Sequence, residues 1–221
     1  MQQAINLIPM SMTPKLAKEI IGSLSKPSKM PAHGYSISAK VCNIGSKLRR
    51  VATSVCANCY ALKGNYLFPS VQAALEKRLK AFANPVFPEA MALVINLTGD
   101  TYFRWFDSGD LQHLDMLHKI VRVAELTPHV THWLPTREYL IVEKYMQIYG
   151  DFPDNLIVRV SAQHVDRPAP TRFALTSQVH SKNAELPDDV YVCPAPQQDN
   201  KCQQCRACWN SNVPTISYRK H

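Results

Sequence analysis

Three short apolar runs, Tyr102 to Phe106, Val130 to Leu134 and Leu156 to Val160, recur just under thirty residues apart with helical periodicity between them. Apolar runs of strand length that alternate with amphipathic helices build right-handed β-α-β units and a parallel sheet. The linking helices read as 111–126, with Leu114, Leu117, Val121 and Ala124 on one face, and a shorter one through Ile141, Tyr145 and Ile148. Further strands are expected at Phe173 to Thr176 and Val190 to Val192. Upstream, Thr13 and Pro14 open a short helix through Leu16, Ile20 and Leu24, and Lys26 to His33 read as a loop. Ser70 is the expected cap of a helix facing inward with Val71, Leu75, Leu79 and Phe82, and a second helix covers about residues 88–97. The expected fold is α/β: a partial or small β/α barrel with mainly parallel strands and a cysteine-rich C-terminal tail. It forms one domain, with an N-terminal segment (1–66), a β/α core (67–192) and the tail (193–221).

The tail carries the chemistry. Cys202, Cys205 and Cys208 form a C-x2-C-x2-C triplet, with Cys193-Pro194 upstream as the natural fourth ligand. Thiols three residues apart wrap one cuboidal cluster, whereas zinc usually draws its ligands from two separated pairs. A second group, Cys42, Cys56 and Cys59, precedes the β/α region. Seven cysteines, an odd number, with no secretory pattern in residues 1–10 and no run long enough to span a membrane, are better explained as metal ligands in a reducing compartment than as disulfides. The expected cofactor is a 4Fe–4S cluster, one or two in number, with zinc as the alternative. Whether the two groups share a cluster stays open. Three thiolates would leave one iron of a 4Fe–4S cluster free for an outside ligand; four would close it. His33 and His164, in loops, are weaker ligand candidates, and Trp209 beside Cys208 would shield a cluster from solvent.

The formal charge of +8 invites a nucleic-acid partner, but ligating thiols are thiolates and would lower it. The cations are scattered and Lys47-Leu48-Arg49-Arg50 is the one dense patch, so nucleic acid is open but not favoured, and a small-molecule ligand or an electron donor is preferred. No membrane partner is expected.

Polar residues follow each expected strand: Asp107-Ser108-Gly109-Asp110, then Pro135-Thr136-Arg137-Glu138, Ser161-Ala162-Gln163-His164 and Thr176-Ser177. Ligands of parallel α/β folds bind at the carboxyl ends of strands. Asp107, Asp110 and Arg137 are therefore the catalytic candidates, and Ser108, Gly109, Thr136, Ser161 and Gln163 the cofactor-binding ones. Strand alternation places Arg104 and Phe106 on one face, where an inward Arg104 needs a partner such as Asp107.

The segments Cys56 to Tyr66, Arg104 to Asp110, Trp133 to Arg137, Cys193-Pro194 and Cys202 to Trp209, in this order from about Lys40 onward, resemble the phage gene product 88 family. That resemblance implies a bacteriophage origin and the host cytoplasm, with no activity to carry over. A weaker resemblance, through Cys59-Tyr60-Ala61, Gly109-Asp110, Thr136-Arg137 and Val160-Ser161, is to phage-associated radical-SAM-like proteins, and implies S-adenosylmethionine as a cofactor. This chain departs from their C-x3-C-x2-C spacing, since thirteen residues separate Cys42 from Cys56. A radical-SAM-like enzyme, a non-enzymatic cluster protein and a zinc-stabilised nucleic-acid binder are the three readings.

Overall fold

The computed structural model describes residues 12–220, so the reading of residues 1–10 lies outside them. Helix α1 (Pro14–Ile21) starts as expected, with the Thr13 hydroxyl accepting the Leu16 N–H at 3.2 Å. Strand β1 (Gly34–Tyr35) follows directly on the expected loop and is not among the expected strands, because two residues are too few to show alternation. Helix α2 (Asn43–Leu48) and a chain of short 3-10 turns lead to α3 (Pro69–Ala81) and α4 (Phe87–Asn96). Ser70 is not the cap of α3. Pro69 takes the first helical position, where its missing N–H costs nothing, and Phe68 becomes the capping residue.

Strand β2 (Tyr102–Trp105), helix α5 (Leu114–Leu126), strand β3 (Thr131–Thr136), helix α6 (Tyr139–Tyr149) and strand β4 (Leu156–Val165) then follow the expected β/α order. Helix α5 begins three residues later than its apolar pattern, because His113 Nδ1 accepts the Met116 N–H and caps it. In α6 the buried positions are Val142 and Tyr145, while Ile148 is exposed. Strand β5 (Thr176–His180) starts where the expected strand was to end; Phe173 instead packs against Tyr139 from the preceding turn. Strands β6 (Tyr191–Val192) and β7 (Thr215–Arg219) complete the sheet.

The strands pair in the order β1-β2-β3-β4-β5-β7-β6, and every pairing between them is parallel. The α/β arrangement of parallel strands is as expected, and the sheet is not a closed barrel, since β1 and β6 are its two edges. Helices end with β4, and a strand order that doubles back at β7 leaves no helical layer to drive closure.

The core fills one face. Helices α1, α4, α5 and α6 lie side by side there, over Phe103, Trp105, Leu134, Val158 and Val160. Fully burying a side chain of this size contributes roughly 1.5–3 kcal/mol. Phe106 does not share Arg104's face: its φ of +54° ends the strand and turns the ring into the core beside Phe82 and Trp105. The opposite face carries Tyr102, Arg104, Trp133 and Arg159, and the cysteine-bearing tail covers it. Trp209 packs edge-on against Tyr102 and Trp133, at 5.5 and 5.3 Å between ring centroids, and its indole N–H donates to the Phe103 carbonyl at 2.8 Å.

Candidate metal centres and the strand-end cluster

The first thiol group hangs from β1. After Tyr35 the chain runs through Ser38, whose hydroxyl accepts the Lys40 N–H, and Cys42 leads directly into α2. Ser54 caps the next turn by accepting the Ala57 N–H at 3.0 Å, and the Cys59 N–H donates to the Cys56 carbonyl, which folds the C-x2-C segment back on itself. Gly45 on α2 closes the arrangement. A Cβ there would stand 2.9 Å from Cys42 Cβ, 3.6 Å from its Sγ and 3.7 Å from Cys56 Sγ, so both thiols face one point on the helix. Burial pushes the Cys42 thiol up to about 12, helped by the neighbouring Asp110, Cys59 and Cys56, while Arg49 opposes it. Cys56 is raised for the same first reason, with Arg137 opposing. As free thiols these groups stay protonated at neutral pH; two guanidinium groups stand ready to offset thiolates.

The ends of β2 and β3 pack onto this group. Asp110 is buried, and its carboxylate accepts from Thr136 Oγ1 at 2.6 Å, the Arg137 N–H at 2.9 Å and the Leu111 N–H at 2.8 Å. Burial raises its pKa against those three bonds. Glu138 accepts the Ile44 N–H at 2.9 Å, tying α2 to the turn after β3, and its pKa is likewise raised by burial. Arg137 donates to the Ala162 carbonyl at 3.1 Å. The fold thus gathers Cys42, Cys56, Cys59, Asp110, Thr136, Arg137 and Glu138. Asp110 holds two strand ends together, which makes it a positioning residue.

The other strand-end candidates have structural partners. Ser161 shares a hydrogen bond with Ser177 at 2.9 Å, and its carbonyl accepts from Tyr139. Gln163 is half-buried further along β4, and Thr176 and Ser177 open β5. Gly109, at φ +83°, lies so close to Ile37 that a Cβ would meet Ile37 Cγ1 at 2.3 Å, so steric need explains it. Ser108 Oγ is buried without a partner. Asp107 accepts from Tyr66 at 2.9 Å through one oxygen, and the other is buried and unpartnered. The expected Arg104–Asp107 ion pair is absent among the described residues. Arg104 lies 4.6 Å over the Trp133 ring with Nη1 3.4 Å from Met30 Sδ, and its Nε has no partner.

The second thiol group is organised by Arg159, a cation inside the expected strand Leu156 to Val160. This guanidinium is fully buried and donates to the carbonyls of Ala207, Cys208 and Asn210 at 3.1, 3.1 and 2.7 Å, with longer contacts to Thr176 and Pro214. No carboxylate pairs with it among the described residues. Burial lowers its pKa, opposed by Tyr218 and Cys208. Cys193 N–H donates to the Ser217 carbonyl and Cys202 N–H to the Lys29 carbonyl, anchoring the tail at both ends. Left-handed backbone at Asp199, Asn200 and Gln203 turns the loop tightly enough to face its thiols inward. Cys208 is pushed by burial to about 12 and shares a 3.2 Å contact with the Tyr218 hydroxyl; Tyr191 does the same for Cys205 at 3.3 Å. No sequence signal marks either tyrosine as a thiol neighbour.

The histidine candidates are occupied elsewhere. His33 bonds Asp100 at 2.6 Å and His164 meets Thr53 at 3.1 Å. Among the described residues, no three His, Cys, Asp or Glu side chains converge as ligands of a single ion. Cys42, Cys56 and Cys59 lie in one group, and Cys193, Cys202, Cys205 and Cys208 in the other.

The family model described as Gene product 88 matches residues 10–211. Nothing similar was found among curated proteins or among solved structures. No described helix is long and apolar enough to cross a membrane.

Proposed function

This chain belongs to the gene product 88 family, and we propose that it is an iron–sulfur protein of phage origin with two centres, acting in the host cytoplasm. One observation carries the reading. The seven cysteines separate into a set of three, beside Arg49 and Arg137, and a set of four that includes Cys208 beside Arg159, a buried guanidinium with no carboxylate partner among the described residues. A buried cation without a counter-ion costs several kcal/mol. A thiolate-ligated cluster, which is anionic, would supply the missing charge.

The two sets differ in what they can do. Four thiols close a centre, and their anchors on Lys29 and Ser217 make the second set a staple between the N-terminal loop, β7 and the tail. Three thiols leave one metal corner open at the carboxyl edge of the sheet, beside Arg137 and Asp110. When bound there, a 4Fe–4S cluster supplies an open coordination position and a source of single electrons. Arg137 would orient an anionic group of a ligand, Glu138 and Asp110 would hold the loop geometry, and the packed turns of residues 55–67 would limit water access. A radical-SAM-like reaction is the enzymatic form of this proposal. The non-enzymatic form, electron transfer or stapling, is favoured by the tail's anchoring.

Iron and sulfide analysis of anaerobically purified protein tests the reading. About eight irons per chain are expected, falling to about four in either C56A/C59A or C202A/C205A. One zinc per chain, or no bound metal, would overturn it. Given iron, 5′-deoxyadenosine formed from S-adenosylmethionine after reduction selects the enzyme; its absence selects the non-enzymatic form.

A further inference from the structure

The cations are spread along this chain, but the acids are not. Residues 1–75 hold nine Lys and Arg against one acid, Glu19, while the remaining 146 residues hold sixteen of each, so the whole +8 resides in the first third. The structure turns part of that third outward around the first thiol group. Between Lys40 and Phe68 the exposed cations are Lys40, Lys47, Arg50 and Lys63, and none forms an ion pair among the described residues. Of the acids on neighbouring elements, Asp110 and Glu138 accept backbone N–H groups and Asp107 accepts from Tyr66, while the exposed Asp166, beside Thr53, is accompanied by the exposed Arg167. Within the cationic rim lie Tyr60, Leu67 and Phe68, at 54, 52 and 56% exposure, one to nine residues from Cys59. The 3-10 turns 39–41, 60–62 and 64–67 pack on one another, which makes this a continuous surface.

We propose that this surface docks an acidic one-electron carrier protein beside the three-thiol centre. An apolar, aromatic middle within a charged rim is the anatomy of a protein interface, and the uniform sign of the rim steers a partner of opposite charge. A second copy of this chain would meet its own like charge. Single-stranded nucleic acid needs free ring faces along a basic groove. Here Tyr60 packs 5.9 Å from Tyr66 and its hydroxyl is spent on the Asp107 carbonyl, while Arg49 turns in to the Ala39 carbonyl at 2.6 Å. That the partner carries electrons rests on the iron–sulfur reading; the charge and shape of the surface do not.

Purified acidic flavodoxin, titrated by fluorescence anisotropy into the full anaerobic protein, is the probe. Binding that weakens at least tenfold in K40E/K63E and in L67S/F68S, and with rising salt, is expected. K182E, an exposed charge reversal in the turn after β5, should bind as the parent does, and all variants should keep the parent's iron content and circular dichroism. No flavodoxin binding, an equal loss in K182E, or tighter binding of a dT oligonucleotide at the same surface would overturn the proposal. Iron-free protein that still docks flavodoxin here would instead sink the iron–sulfur reading and leave the surface standing.

Discussion

His132 sits at the centre of β3, fully buried, and its hydrogen bonds fix its protonation. Trp105 Nε1 donates to its Nδ1 at 3.2 Å, so the ring proton is on Nε2, which donates to Thr127 Oγ1 at 2.8 Å; Thr127 in turn donates to the Val123 carbonyl. A second ring proton would point at the indole N–H. Burial lowers the pKa to about 3, so the unfolded chain binds a proton more readily between that value and its own of about 6.5. Stability is therefore present above pH 6.5 and lost as pH falls through this window, by about 2 kcal/mol on going from pH 6.5 to 5. Urea unfolding at the two pH values should show that loss in the parent and a much smaller one in H132Q, which can keep both bonds. Gly109 is the second single-residue constraint. Any Cβ there collides with Ile37 and takes on a left-handed backbone, so G109A should lower stability by about 2 kcal/mol or more in the same assay.

At the scale of elements, the decisive contact is that between β4 and the tail. Arg159 is the one β4 side chain that reaches carbonyls on both sides of Cys208. R159M keeps most of the volume and leaves those carbonyls buried without donors, at a cost of roughly 1–3 kcal/mol each for the ones that stay dry. Limited proteolysis should then cut within 193–214, and on the proposed two-centre reading iron should fall by about half. Full iron retention would dissociate the tail's folding from its centre. The same scale explains which elements were legible. Helices α3 to α6 and strands β2 to β4 announce themselves because one face of each is apolar. Strands β5 and β7 do not, since their contacts are polar: Thr176 with Thr215 at 2.9 Å and His180 with Ser217 at 2.7 Å. A hydroxyl ladder inside a parallel sheet has no hydrophobic periodicity to read.

Over the whole molecule, the sheet divides two kinds of stability. One face is packed by helices and apolar side chains; the other is covered by loops held by the buried Arg159 and by backbone hydrogen bonds. Removal of bound metal by an iron chelator should speed amide exchange in residues 193–214 and around Cys56, and leave β2, β3 and α5 nearly as protected as before. Hydrogen exchange read by mass spectrometry checks this directly, and uniform loss of protection would show that the apolar core does not stand alone.

By itself the sequence determined the β/α alternation, the helical layer and the division of cysteines into three and four, because periodicity and spacing are local properties of the chain. The pairing of Asp110 with Thr136 and Arg137, the inward turn of Phe106 and the role of Arg159 were decided only by the tertiary structure. Each joins residues from different elements, and what a buried polar group costs or contributes depends on which partners the fold brings to it. The open sheet belongs to the same class: closure turns on where β7 inserts, and no local pattern in the tail encodes that choice.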